Sequence, residues 1–203
     1  MNYAIILSGG IGSRMNKIDI PKQYIKVQGK PLIMYTLEQF EKSKEIDNIV
    51  VVASNEWKQY IKDECREHGI SKILDIVING RTRQESIYNG LKKCIQSSSN
   101  IEDKVIIHDA VRPMVTVELI EKCLNNIGEY DGCMPVLPLN DTIYYSDNGE
   151  EITNLMDRSK LYAGQAPEAF NLYKYYAINE NTSKEELNKI RGTSELAYKI
   201  NSW

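Results

Sequence analysis

The sequence predicts an α/β fold: a Rossmann-like, mostly parallel sheet with helices on both faces and a projecting β-hairpin arm. Three observations carry that expectation. Short β-branched runs alternate with longer stretches of helical apolar spacing; the first run empties into a glycine-rich loop; and the alternation stops at Pro138, where turn-rich strand sequence takes over.

Residues Tyr3–Leu7 have the apolar density of a central strand buried on both faces. They lead into Ser8-Gly9-Gly10-Ile11-Gly12-Ser13-Arg14-Met15, followed by Pro21-Lys22-Gln23-Tyr24. Three glycines let backbone N–H groups approach a polyanion without Cβ obstruction, and Arg14 and Lys22 add two cations, so the loop reads as a phosphate cradle. A plain glycine-rich turn is the competing reading. The dinucleotide fingerprint is broken, because Met15 stands where its third glycine belongs and the second strand ends in Ala53-Ser54 without a ribose-binding acid. That weakens a nicotinamide-dependent oxidoreductase. No Gly-Lys-Ser or Gly-Lys-Thr follows the glycines either, so the Walker pattern fails.

The first helix is expected in Lys30–Phe40, with Pro31 in its first turn. Asn48–Ser54 is a second buried strand, and Asn55 can cap a helix over Glu56–His68 that Gly69 ends. Lys72–Ile78, Lys104–Ile107 and Gly132–Leu137 continue the strands, with helices over Thr82–Gln96 and Val117–Ile127 between them. Beyond Pro138, Asp141–Ser146 and Glu151–Leu155 flank Asp147-Asn148-Gly149 as a hairpin, which fits a lid, a dimerisation arm or a plain edge extension. The 203 residues show no composition shift, so residues 1–203 form one domain with 138–165 as its β-arm.

A net charge of −3 gives no general attraction to nucleic acid or to an anionic membrane, so any basic site must be local. Cys65, Cys94, Cys123 and Cys133 have no metal-ligand spacing and read as reduced structural thiols. With no signal-like N-terminus and no apolar run of membrane-spanning length, a cytoplasmic location is expected.

In an open α/β sheet, ligands sit beyond the carboxyl ends of the strands, so the residues after each strand belong together. The third strand leads to Asn79-Gly80-Arg81-Thr82-Arg83-Gln84-Glu85-Ser86, and the fourth to His108-Asp109-Ala110-Val111-Arg112-Pro113. Asp109 among several cations suits Mg²⁺ on a polyphosphate, or an ion pair with Arg112. His108 reads as a packed or hydrogen-bonded histidine. Arg81 and Arg83 open a helix, where they either meet an anion or are only solvated.

The glycine loop, Pro21-Lys22-Gln23, His108–Pro113, Asp141-Thr142-Ile143, Asp157-Arg158 and Gly164-Gln165-Ala166-Pro167 together resemble the cytidylyltransferases that make CDP-linked polyols. That family includes the enzymes for 2-C-methyl-D-erythritol 4-phosphate and ribitol 5-phosphate. The resemblance implies a fold of the nucleotide-diphospho-sugar transferase type. It also implies transfer of CMP from CTP to a polyol phosphate, with release of pyrophosphate. CTP would lie on Leu7, Ser8, Gly9, Gly10 and Gly12 and on Gly80, Arg81, Thr82, Arg83, Gln84, Glu85 and Ser86. Arg14 and Lys22 would be catalytic, stabilising charge on the α-phosphate and leaving pyrophosphate. Asp109 would hold Mg²⁺, while Arg112 and Arg158 would bind the polyol phosphate, Arg158 in the site of a homodimer partner reached by the arm.

The departures from that pattern are Arg81 where an acid is common, and Ala166 and Glu168 where a threonine and a glutamine are common. The lysine-bearing closing segment of the relatives is not found before Trp203, which keeps a non-catalytic CTP-binding relative as an alternative. Asn55-Glu56-Trp57 and Leu161–Gln165 lean towards the ribitol type, which serves teichoic acid or capsule synthesis; the methylerythritol type serves isoprenoid biosynthesis. A smaller acceptor such as a glycerol phosphate is the further alternative.

Overall fold

The computed structural model describes residues 1–10 and 20–199. The chain runs β1 (Asn2–Leu7), β2 (Lys26–Val27), β3 (Lys30–Pro31), α1 (Leu32–Lys42), β4 (Asn48–Ala53), α2 (Lys58–Glu67), β5 (Ile73–Ile78), α3 (Arg83–Ser97) and β6 (Lys104–Asp109). It continues with α4 (Val117–Asn125), β7 (Gly132–Cys133), β8 (Val136–Pro138), β9 (Tyr144–Tyr145), β10 (Asn154–Leu155), β11 (Tyr162–Gly164), β12 (Glu168–Asn171), α5 (Leu172–Asn181), α6 (Lys184–Lys189) and α7 (Thr193–Lys199).

The main sheet has the order β5-β4-β1-β6-β12-β7. Strands β5, β4, β1 and β6 pair in parallel, whereas β12 runs antiparallel to both β6 and β7. Successive side chains of a strand point to opposite faces, and here each face finds its own core. Ala4, Ile6, Ile49, Val51 and Ile106 enter one cluster with Ile33, Leu37 and Phe40 of α1, Ile61 of α2 and Ile120 of α4. Tyr3, Ile5, Val50, Val52, Val105 and Ile107 enter the other with Ile87 and Leu91 of α3 and Tyr175 of α5. This two-sided burial is why the strands read as continuous apolar runs. At Gly90, α3 lies so close to the sheet that a Cβ would stand 2.9 Å from Ile5 Cγ2.

The parallel alternation follows the expected order, with corrections at several elements. Asn55 caps no helix: Asn55–Trp57 is a 3₁₀ turn, and α2 begins at Lys58 without a side-chain cap. Gly69 does end α2, with φ +68°. The expected strand Gly132–Leu137 is two strands, β7 in the main sheet and β8 paired with β11 in the arm. The hairpin closes on only two residue pairs, Asn154 with Tyr145 and Leu155 with Tyr144, around Gly149 at φ +79°. Strand β12 and helices α5 to α7 were not expected from the sequence. Among the described residues no helix is long and apolar enough to cross a membrane.

Candidate functional site

At the carboxyl ends of β1, β5 and β6 lies a cleft of about 680 Å³, lined by Leu7–Gly10, Gln23, Asn79–Arg83, Ser86, Asp109 and Val111. Its position follows from the sheet. Leu7 is in register with Asp109 across the β1–β6 pair, so the glycine loop and the acid emerge side by side. The exit of β1 is held on both flanks, with Ser8 N–H donating to Val52 O at 2.7 Å and Ala110 N–H donating to Leu7 O at 3.0 Å.

The floor of the loop is polar and buried. Gln23 Nε2 donates to Ser8 O at 2.6 Å and to Gly10 O at 3.0 Å. The Tyr24 hydroxyl donates to Ser8 O at 3.2 Å and stands 2.9 Å from Ser8 Oγ, which then donates back to it. Burial pushes the Tyr24 phenol up, against the smaller opposing pull of its bond with Ser8. Trp57 stacks on Tyr24 with ring centroids 4.3 Å apart.

The opposite wall is the start of α3. Thr82 caps the helix, its side chain accepting from Glu85 N–H at 3.1 Å. Helix α3 is 15 residues long, and its amino end faces the cleft, where first-turn N–H groups and the helix dipole favour an anion. The loop before it is shaped from within: Glu85 Oε2 accepts from Arg81 N–H at 2.8 Å, and Ser86 Oγ accepts from Gly80 N–H at 3.0 Å. The two walls touch at Gly9, where a Cβ would lie 2.5 Å from Asn79 Cβ.

Asp109 sits between the walls. Its Oδ1 accepts from Arg83 at 2.5 Å and its Oδ2 from Arg112 Nε at 3.1 Å. Burial pulls the Asp109 carboxyl up, but the Arg83 and Arg112 guanidiniums outweigh it and hold the group below the usual carboxylate range. Arg83 also reaches Thr193 Oγ1 at 3.4 Å, which ties the cleft to the start of α7. His108 is buried behind the acid, with Nε2 3.0 Å from Arg112 O. Desolvation lowers its pKa, so the neutral ring donates to that carbonyl as a structural histidine.

The expected residues fall into three groups. Leu7, Ser8, Gly9, Gly10, Gly80, Arg81, Thr82, Arg83, Ser86 and Asp109 meet in the cleft. Gly12 and Arg14 lie outside the described residues. Gln84, Glu85, Lys22, Arg112 and Arg158 stand outside its lining. Gln84 is 1% exposed and turns toward Gly192, donating to its carbonyl at 3.4 Å, so its part here is structural. The Glu85 carboxylate is engaged on the Arg81 backbone, and Lys22 is half-buried. Arg158 is on the arm, where it donates to Asn140 O at 2.7 Å. Asp109 carries the ion pair with Arg112 and a second with Arg83, which sequence spacing did not reveal. Gln23, Asn79 and Val111 line the cleft although no role was expected of them.

Among the described residues no group of three or more His, Cys, Asp or Glu side chains gathers for a metal. Asp109 still suits a cation that draws most of its ligands from phosphates, because each carboxylate oxygen has a second lone-pair direction beyond its one guanidinium.

Comparison with known proteins gives a consistent result. Residues 2–196 match the family described as IspD, 2-C-methyl-D-erythritol 4-phosphate cytidylyltransferase. A ribitol-5-phosphate cytidylyltransferase of Vibrio parahaemolyticus is 37% identical over 185 residues, covering 91% of this chain and 77% of that protein. A 2-C-methyl-D-erythritol 4-phosphate cytidylyltransferase of Lachnospira eligens is 35% identical, covering 84% of this chain and 73% of its own length. The crystal structure of 4-diphosphocytidyl-2C-methyl-D-erythritol synthase from Anaerococcus prevotii superposes with a TM-score of 0.80 at 27% identity, covering 98% of this chain and 82% of that one.

Proposed function

Because this chain belongs to the IspD family of 2-C-methyl-D-erythritol 4-phosphate cytidylyltransferases, we propose that it transfers CMP from CTP to a polyol phosphate, releasing pyrophosphate. The observation that supports this most is the pairing of two backbone anion cradles across one cleft, with Asp109 between them. The acceptor is ribitol 5-phosphate or 2-C-methyl-D-erythritol 4-phosphate, the substrates in the names of its relatives.

In the reaction a phosphate oxygen of the acceptor attacks the α-phosphorus of CTP in line, the bond to the β-phosphate oxygen breaks, and pyrophosphate carries away the electron pair. No covalent enzyme intermediate is needed, so the protein supplies position and electrostatic stabilisation. Gly9 and Gly10 present backbone to the nucleotide, and the amino end of α3 presents first-turn amides and the Arg81 side chain. Arg14 and Lys22 stabilise charge on the α-phosphate and the leaving group. Arg112 binds the acceptor phosphate, a role that its half-exposed side chain beside Asp109 supports. Mg²⁺ held by Asp109 would neutralise phosphate charge when bound.

The protein works as a homodimer in the cytoplasm, with Arg158 serving the partner's site through the arm. Tyr144, Tyr145, Ile152 and Leu155 are all more than half exposed on that arm, an apolar surface that association would cover. The reaction is tested by pyrophosphate release with CTP and Mg²⁺ against ribitol 5-phosphate, methylerythritol 4-phosphate, glycerol phosphates and a sugar 1-phosphate. Release with one of the first two is expected. Silence across the panel while CTP still raises the Tm would replace the transferase reading with that of a CTP-binding relative.

A further inference from the structure

We infer that Gln23 is a positioning residue for the nucleotide: its amide ties Ser8 to Gly10 at the start of the glycine loop and turns two carbonyls out of the phosphate site. The inference rests on the CTP reading proposed above and concerns how that cradle is held. Gln23 is 4% exposed, and its single NH₂ group reaches both Ser8 O, at 2.6 Å, and Gly10 O, at 3.0 Å. Those acceptors lie 15 and 13 residues away along the chain.

Peptide planarity gives this staple an electrostatic consequence. In a trans peptide the N–H points opposite to the C=O of the same unit, so a Ser8 carbonyl aimed at Gln23 sends the Gly9 N–H away from it. Neither Gly9 N–H nor Gly10 N–H donates to a described residue, and both residues line the cleft. If the carbonyls of Ser8 and Gly10 faced the cleft instead, their negative ends would meet phosphate oxygens. An amide suits the task because it offers two N–H donors without charge, and two carbonyl acceptors fix which end of the amide faces them. Tyr24 reinforces the same carbonyl with its hydroxyl. Lys22 immediately precedes Gln23, so the same contacts also anchor the backbone beside that cation.

The test compares wild type with Gln23→Met and Gln23→Glu, using CTP itself as the titrant in calorimetry and steady-state kinetics for both substrates. Gln23→Met removes both donors at similar volume. It is expected to weaken CTP about tenfold or more, equivalent to about 1.4 kcal/mol, while the acceptor KM stays within about twofold. Gln23→Glu is expected to bind CTP poorly at about pH 8 and to recover relative to wild type by about pH 6, because a carboxyl buried against carbonyls protonates early and regains one donor. A merely structural residue would show that pH dependence in CTP affinity and acceptor KM alike, whereas here it is expected in CTP affinity alone.

CTP affinity within about twofold of wild type in folded Gln23→Met, or an equal rise in both KM values, overturns the inference. If Gln23→Met does not fold, the pH series of Gln23→Glu decides alone, and a profile parallel to wild type counts against the staple. Wild type that binds CTP but never releases pyrophosphate removes the transferase reading and leaves the binding comparison intact. Wild type with no heat of CTP binding removes both.

Discussion

Substituting Gly9 by alanine tests whether the close approach of the two cleft walls matters to the reaction. The new Cβ would stand 2.5 Å from Asn79 Cβ and 2.8 Å from Asn79 Cγ, where ordinary contact begins at 3.4 Å. Asn79 cannot swing aside freely, because its N–H donates to Ala53 O at 3.0 Å and its Nδ2 to Gly80 O at 3.0 Å. The walls must therefore part by about 1 Å, a displacement that can cost about 100-fold in rate when it misplaces reacting groups. Overpacking of this kind costs about 1–3 kcal/mol, which for a chain of this size lowers Tm by about 2–12 °C. The next residue supplies the control, since a Cβ at Gly10 would meet no atom of the described residues within 4 Å. Gly10→Ala should leave Tm unchanged, so that any loss of CTP turnover there reports a clash with the nucleotide itself. Pyrophosphate release and thermal melting are measured on both variants. Wild-type kcat/KM and Tm in Gly9→Ala would refute the reasoning, because the steric conflict would then have been absorbed without moving the site.

Asp109→Asn should lower kcat by about 100-fold or more and blunt the dependence of rate on Mg²⁺, as read in a metal titration. The same variant carries a pH signature: the folded Asp109 pKa is depressed, so its stabilising contribution is present above the unfolded value and lost as pH falls through the folded one. The stability gap between wild type and Asp109→Asn in denaturant melts should therefore narrow only in acid, below about pH 4. Lys22→Ala should fold normally yet lose most turnover, and unchanged turnover would remove Lys22 from the mechanism. Leu155→Asp, at a side chain 61% exposed on the arm, should shift sedimentation from dimer to monomer while the monomer keeps its Tm.

The parallel core was legible because its strands are buried on both faces. Tyr3–Ile6, Ile49–Ala53 and Val105–Ile107 are apolar at every position, and that density marks a strand wherever it sits. The same signal misled at residues 132–137. Val136 and Leu137 are apolar but 45% and 57% exposed, because they belong to β8 in the arm rather than to the core. Only the pairing with β11, supplemented by Gln165 N–H on Pro135 O at 2.8 Å, reveals the break, and both partners lie nearly 30 residues downstream. Strand β12 left no periodic trace: Glu168-Ala169-Phe170-Asn171 is four residues long with polar ends, and it becomes a strand because it finds β6 and β7 on either side. In the site, the cation of Lys22 drew attention in the Pro21–Tyr24 segment, whereas the neutral Gln23 beside it makes the contacts that hold the loop.

Arg83 shows why site chemistry is harder to read than site location. Its place at the start of α3 was evident, but its partners, Asp109 and Thr193, are 26 and 110 residues away. The guanidinium thereby joins the acid of the cleft to the first residue of α7. Glu168 completes that junction, its carboxylate accepting Ser194 N–H at 2.8 Å, and Tyr175 donates to Thr193 O at 3.0 Å. A glutamine at position 168 could accept the same bond through its side-chain oxygen, so the acidic residue keeps the contact while adding negative charge beside a helix amino end, where it is favourable. One departure from the family pattern is thus accommodated by local electrostatics. The residues that it secures lie two hydrogen-bond steps from Asp109, through Thr193 and Arg83.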